Sequence, residues 1–329
     1  MEFRNLGRSG VKVSRACLGA MNFGTAADAP TSEADARVII DAFLDAGNNF
    51  IDTANIYTGG QSEEVVGRAI KDRRHDVILA TKGFGPIGKG QNDMGLSRQY
   101  LERALHASLK RLGTDYVDLY QCHSYDPATP LEETLETLAG FVRAGKVRYI
   151  GVSNWQASQI VEGQWAAERI GGIPITSLQP RYSLNAREIE AEVLPTCGRH
   201  GVGTLIYSPL GGGLLSGKYA KGKAPEAGTR LARNAAYAQH VLSDRNLAIA
   251  DEVKAVAAEL GTTPTAVAIA WCLTRAHVTS VIIGPRTLQH LQENMVGFDL
   301  QLPDEAAKRL SDASKPHIAD IMPRPRQAA

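Results

Sequence analysis

The hydrophobic positions of this chain form short apolar runs that alternate with longer segments of helical periodicity. Each apolar run gives way to a polar residue or a glycine, and a loop and an amphipathic helix follow. The unit occurs eight times, and its predicted strands are residues 16–19, 49–53, 77–81, 116–122, 147–152, 175–178, 202–207 and 278–283. Strands this apolar are typical of a parallel sheet that is covered on both faces.

The helical segments between the strands carry recognisable start signals. Ser62, followed by two acidic residues, is predicted to cap one helix. Thr129 and Glu132, with a proline between them, predict a capping box. The predicted helices are residues 32–46, 62–72, 97–112, 129 onward, 157–169, 186–200, 244–260 and 288–296, with an extra helix at 264–275. Residues 3–13 predict a hairpin, and the proline-containing tail 315–329 is expected on the surface.

Eight strand–helix units predict an α/β fold, a closed (β/α)₈ TIM barrel with an N-terminal β-hairpin and extra helices near the C-terminus. We expect a single barrel domain to span residues 1–329. The alternative, a doubly wound open sheet, would place a Gly-x-Gly-x-x-Gly turn after the first strand. Residues 18–24 read Leu-Gly-Ala-Met-Asn-Phe-Gly, which does not match that pattern.

Composition narrows the class of protein. A hydrophobic fraction of 43% with 22% charged residues is typical of a globular chain. The formal net charge of +1 argues against a nucleic-acid partner. No apolar run approaches the roughly 20 residues of a membrane span, and the first residues lack an apolar signal core. Four scattered cysteines are expected to be buried thiols, so we predict a cytoplasmic protein without a membrane contact.

Polar residues and glycines lie at or just past the carboxyl ends of the predicted strands. They are Gly19, Asp52, Lys82, His123, Ser153, Asn154, Gln179, Tyr207 and Gly284. In a barrel these ends converge on one mouth, where such enzymes place their chemistry. The sequence therefore predicts that residues from eight distant segments become neighbours.

Three of these segments supply the four parts of a proton-transfer site, Asp52 and Tyr57 from one of them and Lys82 and His123 from the other two. Lys82 is expected to lower the pKa of the Tyr57 phenol, and Asp52 is expected to hold Lys82. His123 is placed to hydrogen-bond a substrate oxygen, so the set suits acid–base work on a carbonyl or alcohol. Taken alone, each residue has an ordinary structural explanation, such as a loop cap, a packed aromatic or a solvated charge. Their common placement at strand ends favours a site.

Two glycine-containing segments suggest anion binding. Residues 212–219 nearly match a nucleotide P-loop, but Tyr219 occupies the position of the magnesium-binding Ser or Thr, which excludes that motif. A loop over an anion and a solvated basic loop both stay open there, since Lys218 and Arg230 are among the cations that follow. Gly284 and Arg286 stand where the last strand meets a helix, which is a common phosphate site in barrels. No group of residues has metal-ligand spacing.

The chain resembles the aldo-keto reductases almost from end to end. The resemblance rests on segments that are specific in combination: residues 18–24, Ile-Asp-Thr-Ala-Asn-Ile-Tyr at 51–57, Thr-Lys at 81–82, Gln-Cys-His at 121–123, Gly-Val-Ser-Asn at 151–154, and Tyr-Ser-Pro-Leu-Gly-Gly-Gly-Leu-Leu at 207–215. The glycine-rich segment is similar to that of the bacterial and potassium-channel β-subunit-like branch, beside aryl-alcohol-dehydrogenase-like members. The resemblance implies NADPH/NADP⁺ without a metal, and a catalytic tetrad of Asp52, Tyr57, Lys82 and His123 with Tyr57 as the acid/base.

The resemblance also implies cofactor contacts. Ser153, Asn154 and Gln179 would hold the nicotinamide carboxamide, and Tyr207 would stack on its ring. Ser208, Leu210 and Lys218 would line the diphosphate, Arg286 and Arg230 would bind the 2′-phosphate, and Glu293 and Asn294 would contact the adenine. The other predicted cofactor-binding residues are Ala20, Met21, Asp52, Gly212, Gly284 and His290. His290 departs from the Gln or Arg that relatives carry there. The predicted substrate pocket is Met21, Phe23, Tyr57, Phe84, His123, Tyr125, Trp155 and Tyr182.

These residues predict an NADP(H)-dependent oxidoreductase that reduces aldehydes or ketones, or oxidises alcohols in reverse. The aromatic pocket favours aromatic or bulky alicyclic compounds of xenobiotic or secondary-metabolite type, and a role in detoxification. We expect a monomer or a weak homo-oligomer whose partner is a small molecule. Two alternatives stay open: a cofactor-binding redox sensor or regulatory subunit with little turnover, and a barrel lyase or isomerase that binds no nicotinamide cofactor.

Overall fold

A computed structural model of the chain describes residues 2–26, 29–226, 229, 231–232 and 234–316. The strands are β1 Phe3–Asn5, β2 Lys12–Ser14, β3 Ala16–Gly19, β4 Phe50–Asp52, β5 Ile78–Gly83, β6 Val117–Cys122, β7 Val147–Ser153, β8 Ser177–Gln179, β9 Gly203–Ile206 and β10 Val278–Ile283. The α-helices are α1 Glu33–Asp45, α2 Gln61–Ile70, α3 Arg98–Leu112, α4 Leu131–Arg143, α5 Ala157–Arg169, α6 Val193–His200, α7 Ala235–Val241, α8 Asp244–Glu259, α9 Pro264–Leu273, α10 Leu288–Asp299 and α11 Asp304–Ala313.

The chain divides into two compact units. The first consists of the described parts of Met1–Pro180, Thr196–Tyr207 and His277–Gln292, and it contains every strand named above. The second consists of the described parts of Arg181–Pro195, Ser208–Ala276 and Glu293–Ala329, and helices α7, α8, α9 and α11 lie in it. The expectation of one domain over residues 1–329 stays a prediction.

Strands β3 to β10 form a closed parallel barrel in which each strand pairs with the next along the chain and β10 pairs with β3. The predicted (β/α)₈ barrel is therefore confirmed. The register places Gly19 beside Asp52, Lys82 beside Gln121, and Ser153 beside Gln179. Because parallel strands in register end at one rim, these residues from distant segments are brought to the same end of the barrel.

The predicted hairpin is also confirmed, as the antiparallel pair of β1 and β2. Its residues Leu6 and Val13 are fully buried and pack with barrel residues such as Cys17 and Leu205 in one apolar cluster. Gly7 has φ +58°, and a Cβ added there would lie 2.5 Å from the main-chain oxygen of Thr176. The hairpin thus contacts the segments that begin the strands, opposite the rim that carries the polar residues.

Several helix starts differ from the predictions. Ser62 is not a cap, because α2 begins one residue earlier with Gly60 as its N-cap, and the Ser62 hydroxyl donates to the main-chain oxygen of Ala20 at 2.8 Å. The capping box at Thr129 is wrong as well. Pro130 is the N-cap of α4, and Thr129 donates instead to Asp126 at 2.7 Å.

The second unit holds most of the helical differences. The helix predicted over 186–200 begins only at Val193, after a short 3₁₀ turn at Glu188–Glu190. Helices α7 and α11 were not predicted from the pattern. Of the tail prediction for 315–329, residues 317–329 lie outside the described residues.

In the described ranges, no single helix is long and apolar enough to cross a membrane. Helices α8 and α9 pass that test only as a pair, bent by 100° at the break between them.

Candidate active site

Lys82, the last residue but one of strand β5, is a fully buried cation at the polar rim of the barrel. Its Nζ donates to a carboxylate oxygen of Asp52 at 2.6 Å, to the main-chain oxygen of Thr53 at 2.9 Å and to the hydroxyl oxygen of Tyr57 at 3.0 Å. An ammonium group has three donors, and all three are used. Burial is the largest single influence on the pKa of Lys82 and lowers it, but the charges of Asp52 and Tyr57 and the hydrogen bonds to them together raise it above its ordinary value. The group therefore stays protonated.

Asp52 ends strand β4 and is almost wholly buried. One carboxylate oxygen accepts from Lys82, and the other accepts from the side-chain amides of Gln121 at 3.0 Å and Gln179 at 2.9 Å. The carboxylate is therefore fixed by groups from three other strands. Gln121 was not assigned a role from the sequence. Its position two residues before His123 on β6 was the available signal, because alternate strand residues face the same side.

Tyr57 opens a short 3₁₀ turn, Tyr57–Gly60, immediately before α2. The turn is tight, with positive φ at Thr58 and at the two glycines that follow. It brings the Tyr57 ring within 4.7 Å of the Lys82 ammonium, measured from Nζ to the ring centroid. Because Lys82 donates to the phenol oxygen, the proton of Tyr57 is directed to another acceptor.

The predicted lowering of the Tyr57 pKa is wrong in its net direction. Burial raises the pKa of this phenol, and that effect outweighs the lowering by Lys82. The buried Asp52 carboxylate raises it further. Tyr57 therefore holds its proton at neutral pH, which is the state that a proton donor needs.

His123 directly follows strand β6, and its ring meets the ring of Tyr57 edge to face, with centroids 5.6 Å apart. Burial and the nearby Lys82 ammonium lower the pKa of His123 to about 3. The imidazole is therefore neutral at physiological pH. Its Nδ1 is buried and has no hydrogen-bond partner within the described part of the chain.

Ser153 ends strand β7, and Asn154 follows it; together they connect His123 to Tyr207 through hydrogen bonds. The Ser153 hydroxyl donates to the main-chain oxygen of Gln179 at 2.8 Å and accepts from the Asn154 amide at 3.0 Å. Asn154 adopts φ +60°, donates to the main-chain oxygen of His123 at 3.3 Å and accepts from the Tyr207 hydroxyl at 3.0 Å. The structure thus joins these predicted cofactor residues in one hydrogen-bonded chain at the rim.

The other predicted cofactor residues of the first unit lie in loops after the strands. Ala20 is buried and donates its N–H to the main-chain oxygen of Asp52, and Met21 next to it is 41% exposed. Gly284 and His290 are exposed, and Arg286 is half-buried. The main-chain oxygen of Arg286 accepts from the Thr31 hydroxyl at 3.3 Å. Arg230 lies outside the described residues.

In the second unit, the glycine-rich segment forms a 3₁₀ turn at Gly211–Ser216. Three successive glycines at 211–213 have φ of +56°, +74° and +95°, a backbone that other residues rarely adopt. The Lys218 side chain folds back over this turn, since a Cβ added at Gly213 would lie 3.2 Å from its Nζ. The remaining predicted contacts in this unit are Ser208 with φ +58°, Leu210, the half-buried Glu293 and the buried Asn294.

The predicted substrate pocket divides by exposure. Tyr57 and His123 are partly exposed, and so are Phe84 and Tyr125. Phe23, Trp155 and Tyr182 are buried at 0–2% exposure, and the Tyr182 ring stacks on Trp271 with centroids 5.6 Å apart. The structure does not support these three as pocket walls, because side chains packed this tightly present no surface to a substrate.

Comparison with known proteins agrees with this geometry. Residues 15–315 match the model of the aldo/keto reductase family. The chain belongs to the aldo/keto reductase family. It is 41% identical over 323 residues to the uncharacterized oxidoreductase YrpG of Bacillus subtilis, with 95% of each chain covered. It is 40% identical over 306 residues to a probable voltage-gated potassium channel subunit beta of Oryza sativa subsp. japonica, covering 91% of this chain and 92% of the relative.

A third relative, the aldo-keto reductase AMT2 of Alternaria alternata, is 34% identical over 342 residues, with 95% of this chain and 91% of the relative covered. Family membership confirms the resemblance and assigns the chain to the oxidoreductases. The roles of the individual site residues stay predictions.

Proposed function

We propose that this aldo/keto reductase transfers hydride between NADP(H) and a small carbonyl or alcohol, with Tyr57 as the proton donor in reduction. The observation that carries the proposal is the buried Lys82 ammonium, which spans Asp52 and the Tyr57 hydroxyl at 2.6 and 3.0 Å. A cation held against the phenol oxygen stabilises the negative charge that develops as the proton leaves.

The remaining site residues orient the reacting groups. Asp52 keeps Lys82 charged and is itself held by two glutamine amides, so the ammonium has little freedom to turn away. His123 is neutral, and as a neutral imidazole it can hydrogen-bond a substrate oxygen without competing as an acid. The site thus has one proton donor and one neutral orienting group.

The residues at the rim fit a nicotinamide cofactor. Tyr207 offers a planar ring that is held through its hydroxyl by Asn154, next to the Ser153 hydroxyl, and these are groups that an aromatic ring with a carboxamide would contact. In the second unit, the positive-φ glycine turn with Lys218 over it fits a phosphate group. When bound, the cofactor supplies the hydride, and the chain supplies orientation and the proton.

The substrate class is proposed from the exposed part of the predicted pocket. Met21, Phe84, Tyr125 and the Tyr57 ring keep apolar surface accessible in loops after the barrel strands. These side chains favour an aromatic or bulky alicyclic carbonyl over a charged sugar.

Relatives named as potassium channel β subunits raise the alternative of a regulatory subunit with little turnover. The complete proton-donor arrangement and the oxidoreductase and reductase relatives favour a catalyst. A regulatory subunit would bind NADPH and turn over none of the substrates offered.

The test is a comparison of Tyr57→Phe with the wild-type protein. Cofactor fluorescence gives the Kd for NADPH and NADH, and absorbance of the reduced nicotinamide gives turnover on aromatic aldehydes and cyclic ketones. We expect Tyr57→Phe to lower kcat by about 10²- to 10⁴-fold, because the proton donor is removed. The Kd for NADPH should change little.

Tyr116→Phe is the matched control. This phenol precedes strand β6 at the opposite end of the barrel, so kcat should stay at the wild-type value. A Tyr57→Phe enzyme with most of its activity would contradict the assigned role. NADPH binding without turnover by the wild type would favour the regulatory alternative, and the absence of any nucleotide binding would favour a lyase or isomerase.

A further inference from the structure

Tyr100 lies on helix α3, is fully buried and belongs to no part of the site described above. Its hydroxyl donates to the main-chain oxygen of Gly85 at 2.6 Å. The Tyr100 hydroxyl oxygen itself accepts from the main-chain N–H of Phe84 and from the side-chain amide of Asn55, both at 3.0 Å. A phenol has one proton and two acceptor sites, so this hydroxyl is saturated.

The three partners of Tyr100 belong to the two loops that carry the proton donor and its cation. Asn55 stands two residues before Tyr57, and Phe84 stands two residues after Lys82. The main-chain N–H of Asn55 also donates to the main-chain oxygen of Lys82 at 3.1 Å. The hydroxyl of Tyr100 therefore joins the two loops.

The two loops are packed too closely to shift independently of each other. A Cβ added at Gly85 would lie 2.6 Å from Cγ2 of Ile56, so the Ile56 side chain rests directly on the glycine backbone. The hydrogen bond from the Tyr100 hydroxyl to the Gly85 main-chain oxygen holds this backbone in place against the Ile56 side chain. Loss of the hydroxyl would leave a buried N–H, an amide and a carbonyl without the partner that fixes them.

We propose that Tyr100 is a positioning residue for the reaction: its hydroxyl sets the position of the Tyr57 loop relative to Lys82 and holds the backbone of Phe84 at the substrate pocket. The proposal rests on the proposed role of Tyr57. Tyr100 acts through the loops, since its hydroxyl is fully occupied by protein groups and has no donor to spare for a substrate.

The structure offers a matched control in Tyr120 on strand β6. This phenol is also fully buried, and its hydroxyl has no hydrogen-bond partner among the described residues. It lies against Gly83, next to Lys82, where an added Cβ would overlap it. Tyr100→Phe and Tyr120→Phe thus remove the same atom from two buried phenols in one region, but only the first removal breaks hydrogen bonds to the loops.

The experiment measures kcat for NADPH-dependent carbonyl reduction in H₂O and in D₂O for wild type, Tyr100→Phe and Tyr120→Phe. For Tyr100→Phe we expect kcat to fall by about 10- to 100-fold, the loss that a small misplacement of reacting groups causes. The solvent isotope effect should rise, because proton transfer from a displaced Tyr57 becomes slower, and the Kd for NADPH should change less than about twofold. Tyr120→Phe should match the wild type in all three quantities.

A second variant keeps the proposal testable if Tyr100→Phe does not fold. Asn55→Ala removes only the amide of the connection and should lower kcat below the wild-type value, though less than Tyr100→Phe does; an unchanged kcat would contradict the connection. If both residues act as one unit, the double variant Asn55→Ala/Tyr100→Phe should be about as slow as Tyr100→Phe alone. Multiplying effects in the double variant would contradict a shared connection.

A readout without turnover separates this proposal from the proposed function. The ¹³Cζ resonance of Tyr57, assigned with Tyr57→Phe, should shift in Tyr100→Phe and stay in place in Tyr120→Phe. A Tyr57 resonance unchanged in Tyr100→Phe would overturn the positioning role, whether or not the wild type reduces carbonyls. Equal kcat and isotope effect in the two phenol variants would overturn it as well. If the wild type shows no turnover but the Tyr57 resonance still shifts in Tyr100→Phe, the positioning role is supported and only the proposed function is contradicted.

Discussion

Lys82 is buried as an ammonium group at the rim of the barrel, and such a charge is unfavourable unless its donors are satisfied. Here three oxygens satisfy them, and one of these is the phenol oxygen of Tyr57. The same burial raises the pKa of Tyr57 and lowers that of His123. A single desolvated environment therefore keeps one group protonated and its neighbour neutral, which separates their roles.

His123→Asn tests the neutral state of the histidine through stability. The pKa of His123 is about 3 in the folded protein and about 6.5 in the unfolded chain. Below pH 6.5 the unfolded chain binds a proton that the folded protein does not, so the wild type loses stability as pH falls toward 3. Between about pH 7 and about pH 4.5 this loss should be on the order of 2 kcal/mol and should be absent in His123→Asn.

Urea unfolding of both proteins at the two pH values gives these free energies. His240→Asn on α7, at an exposed position, is the control and should follow the wild type. Parallel pH dependence of wild type and His123→Asn would contradict the low pKa.

The starts of helices α1, α2 and α3 show that packing between elements can override a local sequence signal. Ser32 and Ser97 cap their helices as a local signal predicts, each accepting from a backbone N–H three residues later. Ser62 has the same local signal, yet its hydroxyl is buried and donates to the main-chain oxygen of Ala20. The predicted Ser62 cap is wrong because a partner distant in sequence takes the hydrogen bond.

Gly67→Ala tests the close approach of these two helices. A Cβ added at Gly67 of α2 would overlap the main-chain carbonyl of Leu112, the last residue of α3. We expect the substitution to lower the free energy of unfolding by about 1 to 3 kcal/mol, because the helices must separate.

Gly140→Ala is the matched control within helix α4, since nothing lies within 4 Å of a Cβ added there. Alanine at an unobstructed helical position should raise stability by about 0.4 to 1 kcal/mol. Thermal or urea unfolding measures both, and a stabilised Gly67→Ala protein would contradict the packing argument.

The packed hairpin and the candidate active site lie at opposite ends of the barrel. The hairpin residues Leu6 and Val13 are buried with the barrel interior near the strand starts, whereas Tyr57, Lys82 and His123 lie at the strand ends. This separation is expected of the fold, because loops after the strands can vary while the other end remains a packed core.

Leu6→Ala should therefore reduce stability without changing the chemistry. Leu6 is fully buried, so we expect a loss of about 2 to 5 kcal/mol in the free energy of unfolding. Phe3→Ala on the same hairpin, at a side chain 42% exposed, should cost far less.

Activity per folded molecule is the decisive measurement for Leu6→Ala. It should equal that of the wild type at a temperature where both proteins are folded. A lower kcat for the folded Leu6→Ala enzyme would show that the two ends of the barrel are coupled.

The sequence by itself determined the eight strand–helix units, the hairpin and the residues at each strand end, because these follow from local periodicity and from short-range preferences. It also singled out Asp52, Tyr57, Lys82 and His123, since a barrel brings strand ends together whatever the detail of its packing. Only the tertiary structure decided which atoms meet. Three features depend on burial and on partners far apart in sequence. They are the hydrogen bonds of Gln121 and Gln179 to one oxygen of Asp52, the raised pKa of Tyr57 and the fully hydrogen-bonded hydroxyl of Tyr100. Hydrogen bonding and desolvation act between such neighbours, and no local pattern encodes them.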